Sequence, residues 1–152
     1  EWERAAAWDA ATETHYRYGI SSDTVIHARA NYAFYNPLVF EDWPFSTPVG
    51  WYNGVNVAQL GAPALTQLSI SPVGCYDMAG NVWEWCHDWY DATYYSVSSG
   101  VNPTGPATGD DKVRRGGGWS ITDDFCRSAT RSASGPATFN SVIGFRVAIS
   151  IE

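Results

Sequence analysis

Between Glu1 and Thr12 the apolar positions Trp2, Ala5, Ala6 and Trp8 recur near helical spacing. Three consecutive alanines favour the same state, so the pattern predicts a helix over residues 1–12. From Thr14 to Pro72 no period is sustained. Short runs of Gly, Pro, Asn and aromatic residues alternate, as in PVGWYNGVNVAQLGAP, with turns at Asn36-Pro37 and Asn53-Gly54. Residues 76–86 combine a turn with a strand or short helix. Residues 91–111 are rich in Ser, Thr, Gly, Pro and Asp and read as a long surface loop. Val113 to Trp119 and Gly144 to Ile151 read as strands, the second with Phe145, Val147, Ile149 and Ile151 on one face. The expectation is a single α+β domain over residues 1–152 with little regular secondary structure. Such a chain carries many loop N–H and C=O groups that need partners. Aromatic packing, loop–loop hydrogen bonds and bound cations are the usual remedies.

Composition narrows the classes. Of 152 residues, 45% are hydrophobic and 15% aromatic, including 8 Trp and 9 Tyr, which excludes a disordered chain. No apolar run of about 18 residues is present, so no membrane span is expected. The formal net charge is −7, with Lys112 the single lysine. An acidic surface repels phosphate backbones, so nucleic acid is not expected as a partner. Three cysteines, Cys75, Cys86 and Cys126, cannot all pair internally and do not describe a disulfide scaffold. A Cys86–Cys126 bridge stays open. So does the compartment, with an extracellular or cell-surface setting the expectation. The opening EWERAAAWDAAT has no initiator Met and no leader pattern, and the chain reads as a piece of something longer.

Four segments are distinctive: Gly74-Cys75-Tyr76-Asp77-Met78-Ala79-Gly80-Asn81-Val82-Trp83-Glu84-Trp85, then Arg115-Gly116-Gly117-Gly118-Trp119, then Cys126-Arg127-Ser128-Ala129-Thr130-Arg131, then Ile143-Gly144-Phe145-Arg146-Val147. With Glu1-Trp2-Glu3, Ala30-Asn31-Tyr32 and Pro48-Val49-Gly50 they resemble, in order, the formylglycine-generating enzyme family, also called the sulfatase-modifying-factor family. The resemblance implies a C-type-lectin-like variant of the α+β class. It also implies that the family's N-terminal portion, before the E-W-E helix, is not part of these residues.

Enzymes of that family hold copper(I) with two cysteines placed after the R-G-G-S-[WY] segment and oxidise a substrate cysteine within a C-x-P-x-R motif. Soft thiolates suit that ion. After Trp119 only Cys126 is present, at the C-R-S-A position, so no copper site and no catalytic residue are expected. The related sulfoxide synthases hold iron through histidines. His15, His27 and His87 show no ligand spacing here.

The family also binds structural calcium. Carried over by motif, one site would use Asp77, the carbonyls of Gly80 and Val82, and Glu84. A second would use Asn31, the Tyr32 carbonyl and Asp42. Hard Ca2+ takes six to eight oxygens and accepts carbonyls from irregular backbone. The alternative for Glu84 is a buried hydrogen bond or salt bridge.

Residues 119–146 also fit a frame, W-x6-C-R-S-A-x-R-x4-P-x6-I-G-F-R, similar to the variable proteins of diversity-generating retroelements. Lys, Glu, Gln, Met and Trp are all missing from residues 120–143, the set that adenine mutation of an Asn codon cannot produce. The resemblance implies a ligand-binding face of Ser120, Ile121, Thr122, Asp123, Asp124, Phe125, Thr130, Ser132, Ser134, Thr138, Phe139 and Asn140. The alternative is a tolerant polar loop.

Trp83, Trp85, Trp89 and Tyr90 read as core rather than a sugar platform. Arg114, Arg115, Arg127, Arg131 and Arg146 are expected to bind loop carbonyls or acidic side chains. The function expected is a non-catalytic, calcium-stabilised scaffold presenting residues 120–143 to a protein or glycan ligand. The alternatives are a copper-dependent formylglycine-generating oxidase and a structural subunit of a surface assembly, with self-assembly left open as a mode of partnership.

Overall fold

A computed structural model describes residues 1–59, 63–101 and 103–149. Helix α1 spans Trp2–Ala7 and strand β1 Trp8–Asp9, which pairs antiparallel with β2, Thr14–His15. The helix is therefore half the length the pattern predicts. Asp9 is the reason: its carboxylate accepts the Ala11 N–H at 2.9 Å, which gives the backbone a turn in place of a further helical bond. The same bond holds the Asp9 carboxyl below its ordinary range. Glu13 then closes the hairpin at φ 53°.

Strands β3 (Val57–Ala58) and β4 (Ala64–Leu65) form a second small hairpin. The main sheet has four strands: β5 (Trp83–Trp89), β6 (Lys112–Arg115), β7 (Ser132–Ser134) and β8 (Ile143–Phe145). Their order is β7-β6-β5-β8, with β8 parallel to β5 and the other pairs antiparallel. Two short 3-10 turns, Tyr94–Ser96 and Asp123–Cys126, complete the regular structure. The remaining described residues are loop, as the aperiodic sequence requires.

Two predicted strands are shorter than expected. The 113–119 strand stops at Arg115 because Gly116 and Gly117 turn to φ 91° and 74°. At Gly117 any side chain would strike Cys126. The C-terminal strand stops at Phe145, and its alternating face points outward: Phe145, Val147 and Ile149 are exposed. The inward position between them belongs to Arg146, which bonds Glu84. Ile151, the fourth residue of that predicted face, lies outside the described residues.

The core is built of small and aromatic side chains: Tyr18, Ile20, Ala79 and Cys126 pack together with Val25 and Tyr32 against them. Trp83 is buried, while Trp85, Trp89 and Tyr90 are half-buried. The ring of Trp89 carries the Lys112 ammonium 3.8 Å above it.

Candidate functional site

The Asp77–Glu84 segment runs from a loop into β5, and most of it is buried. Asp77, Gly80 and Asn81 all take positive φ, at 58°, 79° and 66°. The curled backbone brings four loops to one point. Gly80 N–H donates to the Gly116 carbonyl at 2.7 Å, and Asn81 N–H to the Asn31 carbonyl at 2.7 Å. The Asn81 carbonyl accepts from Trp119 N–H at 2.8 Å. Its side-chain amide matches both backbone groups of Thr47: Oδ1 accepts from N–H at 2.9 Å and Nδ2 donates to C=O at 3.1 Å. A side chain at position 80 would strike the Asn31 carbonyl.

Glu84 is buried, with Oε2 accepting two bonds and Oε1 one. Arg146 donates to both carboxylate oxygens, Nε to Oε2 at 3.0 Å and Nη2 to Oε1 at 2.6 Å. Trp2 Nε1 adds a bond to Oε2 at 2.7 Å. Arg146 Nη2 also reaches the Tyr76 carbonyl at 2.7 Å. Asp77 is buried beside this group, and its Oδ2 accepts the Gly50 N–H at 2.8 Å. Burial pushes its carboxyl above the ordinary range, more than the Gly50 bond and Arg146 pull it down. Asp77 and Glu84 thus lie near one another. The sequence did not assign Arg146 and Trp2 to this pair, although the E-W-E and G-F-R motifs carried both.

Asn31 is fully buried, with Nδ2 donating to the Phe45 carbonyl and Oδ1 left without a partner. Tyr32 is half-buried, its ring stacked on His27 at 4.2 Å. Asp42 stands on an exposed loop. Among the described residues no three His, Cys, Asp or Glu side chains converge as a metal cluster, so a cation here would draw on backbone carbonyls.

The arginines behave as their geometry demands. Arg115 donates to the Ser128 carbonyl at 2.8 Å and pairs with Glu3 at 3.1 Å. Arg127 binds the Asp124 carbonyl and Arg131 the Asp91 carbonyl. Arg114 instead reaches the Ser132 hydroxyl and lies over the Trp83 ring.

In the 120–143 segment, Cys126 and Ser128 are buried anchors. Ser128 N–H donates to the Arg17 carbonyl at 2.9 Å. Around them Thr122, Asp123, Asp124, Phe125, Thr138, Phe139 and Asn140 are exposed, and Ser120, Ile121, Thr130, Ser132 and Ser134 are half-buried. Ser132 and Ser134 lie on β7, at the sheet edge opposite β8. Thr130 opens on a shallow pocket of about 570 Å³ that His15, Arg17, Asp23 and Arg127 also line.

All three thiols are free. Burial pushes Cys126 up to about 12 and Cys86 to about 11. A buried thiol with so raised a pKa supplies almost no thiolate at neutral pH, and thiolate is the reactive form.

The sequence model of the sulfatase-modifying factor enzyme 1-like domain matches residues 1–151. The chain belongs to this family. Within it, the domain is 39% identical over 117 residues to the formylglycine-generating enzyme of Streptomyces coelicolor, covering 70% of this chain and 36% of that protein. It is 30% identical over 158 residues to the hercynine oxygenase of Mycolicibacterium thermoresistibile, covering 100% of this chain and 31% of that one. Among solved structures, Treponema denticola variable protein 1 aligns with a TM-score of 0.60 and 28% identity, covering 95% of this chain and 43% of its own. PvdO from Pseudomonas aeruginosa aligns with a TM-score of 0.62 and 23% identity, covering 95% and 48%. The domain thus spans about a third to a half of the length of these relatives. Its fold is the C-type-lectin-like α+β arrangement of the family. No helix among the described residues is long and apolar enough to cross a membrane.

Proposed function

We propose that this domain is a non-catalytic scaffold of the sulfatase-modifying factor family, presenting the 120–143 segment to a protein or glycan ligand. One observation carries the reading. Cys126 is the only thiol after the Arg115–Trp119 segment, and it is fully buried with its pKa raised. Copper(I) in this family's chemistry needs two thiolates. The alignment with a variable protein, and the pattern of buried anchors between exposed small polar residues, support display as the use of that segment.

The scaffold would be braced by calcium. The donor chemistry fits at Asp77: a buried carboxylate with a raised pKa, beside a second carboxylate in Glu84, gains from a cation. Asp77, Glu84 and the carbonyls of Gly80 and Val82 would hold the ion, with Glu84 shared with Arg146. Asn31, whose buried oxygen has no partner, would serve a second ion with the Tyr32 carbonyl and Asp42. Calcium would supply positive charge to loops that lack it. At a concentration of 100 times its Kd it would add about 2.7 kcal/mol of stability. Elemental analysis and melting with and without chelator test this. An unchanged melting temperature after exhaustive calcium removal rejects both sites.

The rival reading, favoured by the 39% identity to a formylglycine-generating enzyme, is a copper-dependent oxidase. Incubation with copper and a C-x-P-x-R peptide separates the two. Conversion of the peptide cysteine to an aldehyde would defeat the scaffold reading; an unchanged peptide mass supports it.

A further inference from the structure

The loop from Ala33 to Phe45 lays an aromatic face on the surface beside Trp119. Trp43 is 68% exposed and Phe34 62%, with Phe40 also exposed. Phe34 meets the buried Trp119 ring edge-on at 5.8 Å between centroids, and Phe45 and Trp43 lie tilted against it at 5.4 and 6.4 Å. The exposed rings are held rather than loose. Ala33 and Phe34 sit at φ 53° and 58°, a conformation that bulky side chains rarely adopt. Two bonds fix it there, Ala33 N–H to the Ile121 carbonyl and Phe34 N–H to the Trp119 carbonyl, at 2.8 and 2.6 Å. Asn36 ties the far side of the loop through both backbone groups of Phe40. Strain of this kind, maintained by surrounding structure, marks positions where presentation matters.

Five rings elsewhere in the protein carry one of its own cations. Lys112 lies over Trp89, Arg114 over Trp83, Arg115 over Trp2, and Arg131 over Tyr90 and Tyr95. The Phe34–Trp43 face has no such cover among the described residues. Between Arg29 and Lys112 the chain contains no Lys or Arg at all. Arg29 itself is spent on the carbonyls of Ile20 and Leu68. The same loop carries Glu41 and Asp42, both exposed and, among the described residues, in no ion pair. Open ring faces, unpaired carboxylates and an excluded cation are complementary to one kind of partner.

We propose that the Phe34–Trp43 face, with Glu41 and Asp42, docks an arginine-bearing peptide segment of another protein. Guanidinium groups stack on the rings and pair with the two carboxylates. The proposal stands on the 33–45 loop alone. It does not need display by residues 120–143 or the Asp77 calcium site. Asp42 is shared with the second calcium site, so the titrations are run in chelator, where loss of arginine-peptide binding and loss of calcium binding are read separately.

The test titrates the protein with the peptide Gly-Arg-Gly-Arg-Gly-Arg-Gly, its glutamate counterpart, and neutral tri-N-acetylchitotriose. Calorimetry gives affinity, and indole N–H NMR shifts report on Trp43 and Trp119. Arginine-peptide binding should weaken at least about fivefold in Trp43→Ala, and in Phe34→Ala by a similar factor. It should weaken about threefold in the Glu41→Gln/Asp42→Asn double variant, with a shallower salt dependence. These residues are exposed, and unchanged far-UV dichroism confirms that the variants fold. Failure of the arginine peptide to bind overturns the proposal. So does equal binding to wild type and Trp43→Ala, equal binding of the glutamate peptide, or Trp43-dependent binding of the trisaccharide alone.

Discussion

Arg146 grips Glu84 through both carboxylate oxygens, while its second terminal nitrogen contact reaches back to the Tyr76 carbonyl. One side chain from beyond β8 thereby ties the start of β5 to the loop that precedes it. Glu84 is 7% exposed at its side chain and Arg146 28%, so water screens the pair poorly.

Removing one partner leaves the other charge buried without its counter-ion. Arg146→Met should cost about 3–5 kcal/mol of stability, read from urea unfolding. Arg146→Lys should recover only part, because an ammonium cannot make the two-pronged contact. Equal stability of the wild type and Arg146→Met would show that Glu84 is neutralised some other way.

Asn81 holds Thr47 by two backbone bonds and adopts φ 66°. Asn81→Ala loses both bonds and places a Cβ-bearing residue without the side-chain compensation of Asn in that conformation, for a loss of about 3 kcal/mol. Asn81→Gly should relieve only the backbone part. Gly80→Ala should be at least as damaging, since its methyl would strike the Asn31 carbonyl. Thermal melts of the three variants rank these effects.

His27 is stacked between Tyr32 at 4.2 Å and Tyr35 at 4.3 Å, and its Nδ1 has no hydrogen-bond partner. Burial lowers its pKa below the ordinary 6.5. The unfolded chain therefore takes up a proton at higher pH than the folded one. The contribution of His27 is complete above pH 6.5 and is lost as pH falls through that value toward the lower folded pKa. His27→Phe should flatten the stability profile between pH 7 and 5; an unchanged slope would assign the loss to other groups.

Cys126 should resist thiol reagents in the native state. At pH 8 the folded protein should not be labelled there by a disulfide reagent over hours, whereas in urea labelling is immediate. Peptide mapping after native labelling checks this, and rapid modification of Cys126 would contradict its burial.

The turns and the carbonyl or carboxylate partners of Arg115, Arg127, Arg131 and Arg146 were legible because Gly, Pro, Asn and Arg act locally or through fixed geometry; Arg114, on a hydroxyl and a ring, was not. The extent of α1 was not, since alanine-rich helix propensity competes with a single Asp9 turn that periodicity does not register. The 144–151 alternation placed Phe145, Val147 and Ile149 on one face but did not say that this face is the exposed one. Period two says that successive side chains oppose one another, and not which set meets the interior. At the candidate site, Asp77 and Glu84 were found by motif. The Arg146–Glu84 pair spans 62 positions, and no local pattern encodes a contact at that separation. The aromatic face of the 33–45 loop was hidden because Phe34 and Trp43 look like core residues by type.

The junction at Asn81 joins the segments around Asn31, Thr47 and Trp119, none of which belongs to a strand. Release of any one of them must break several bonds in the others. The amide protons of Thr47, Asn81 and Trp119 are therefore expected to exchange with deuterium as slowly as those of β5. By that measure the rigid kernel of the domain would be a knot of loops, with the sheet as its flank.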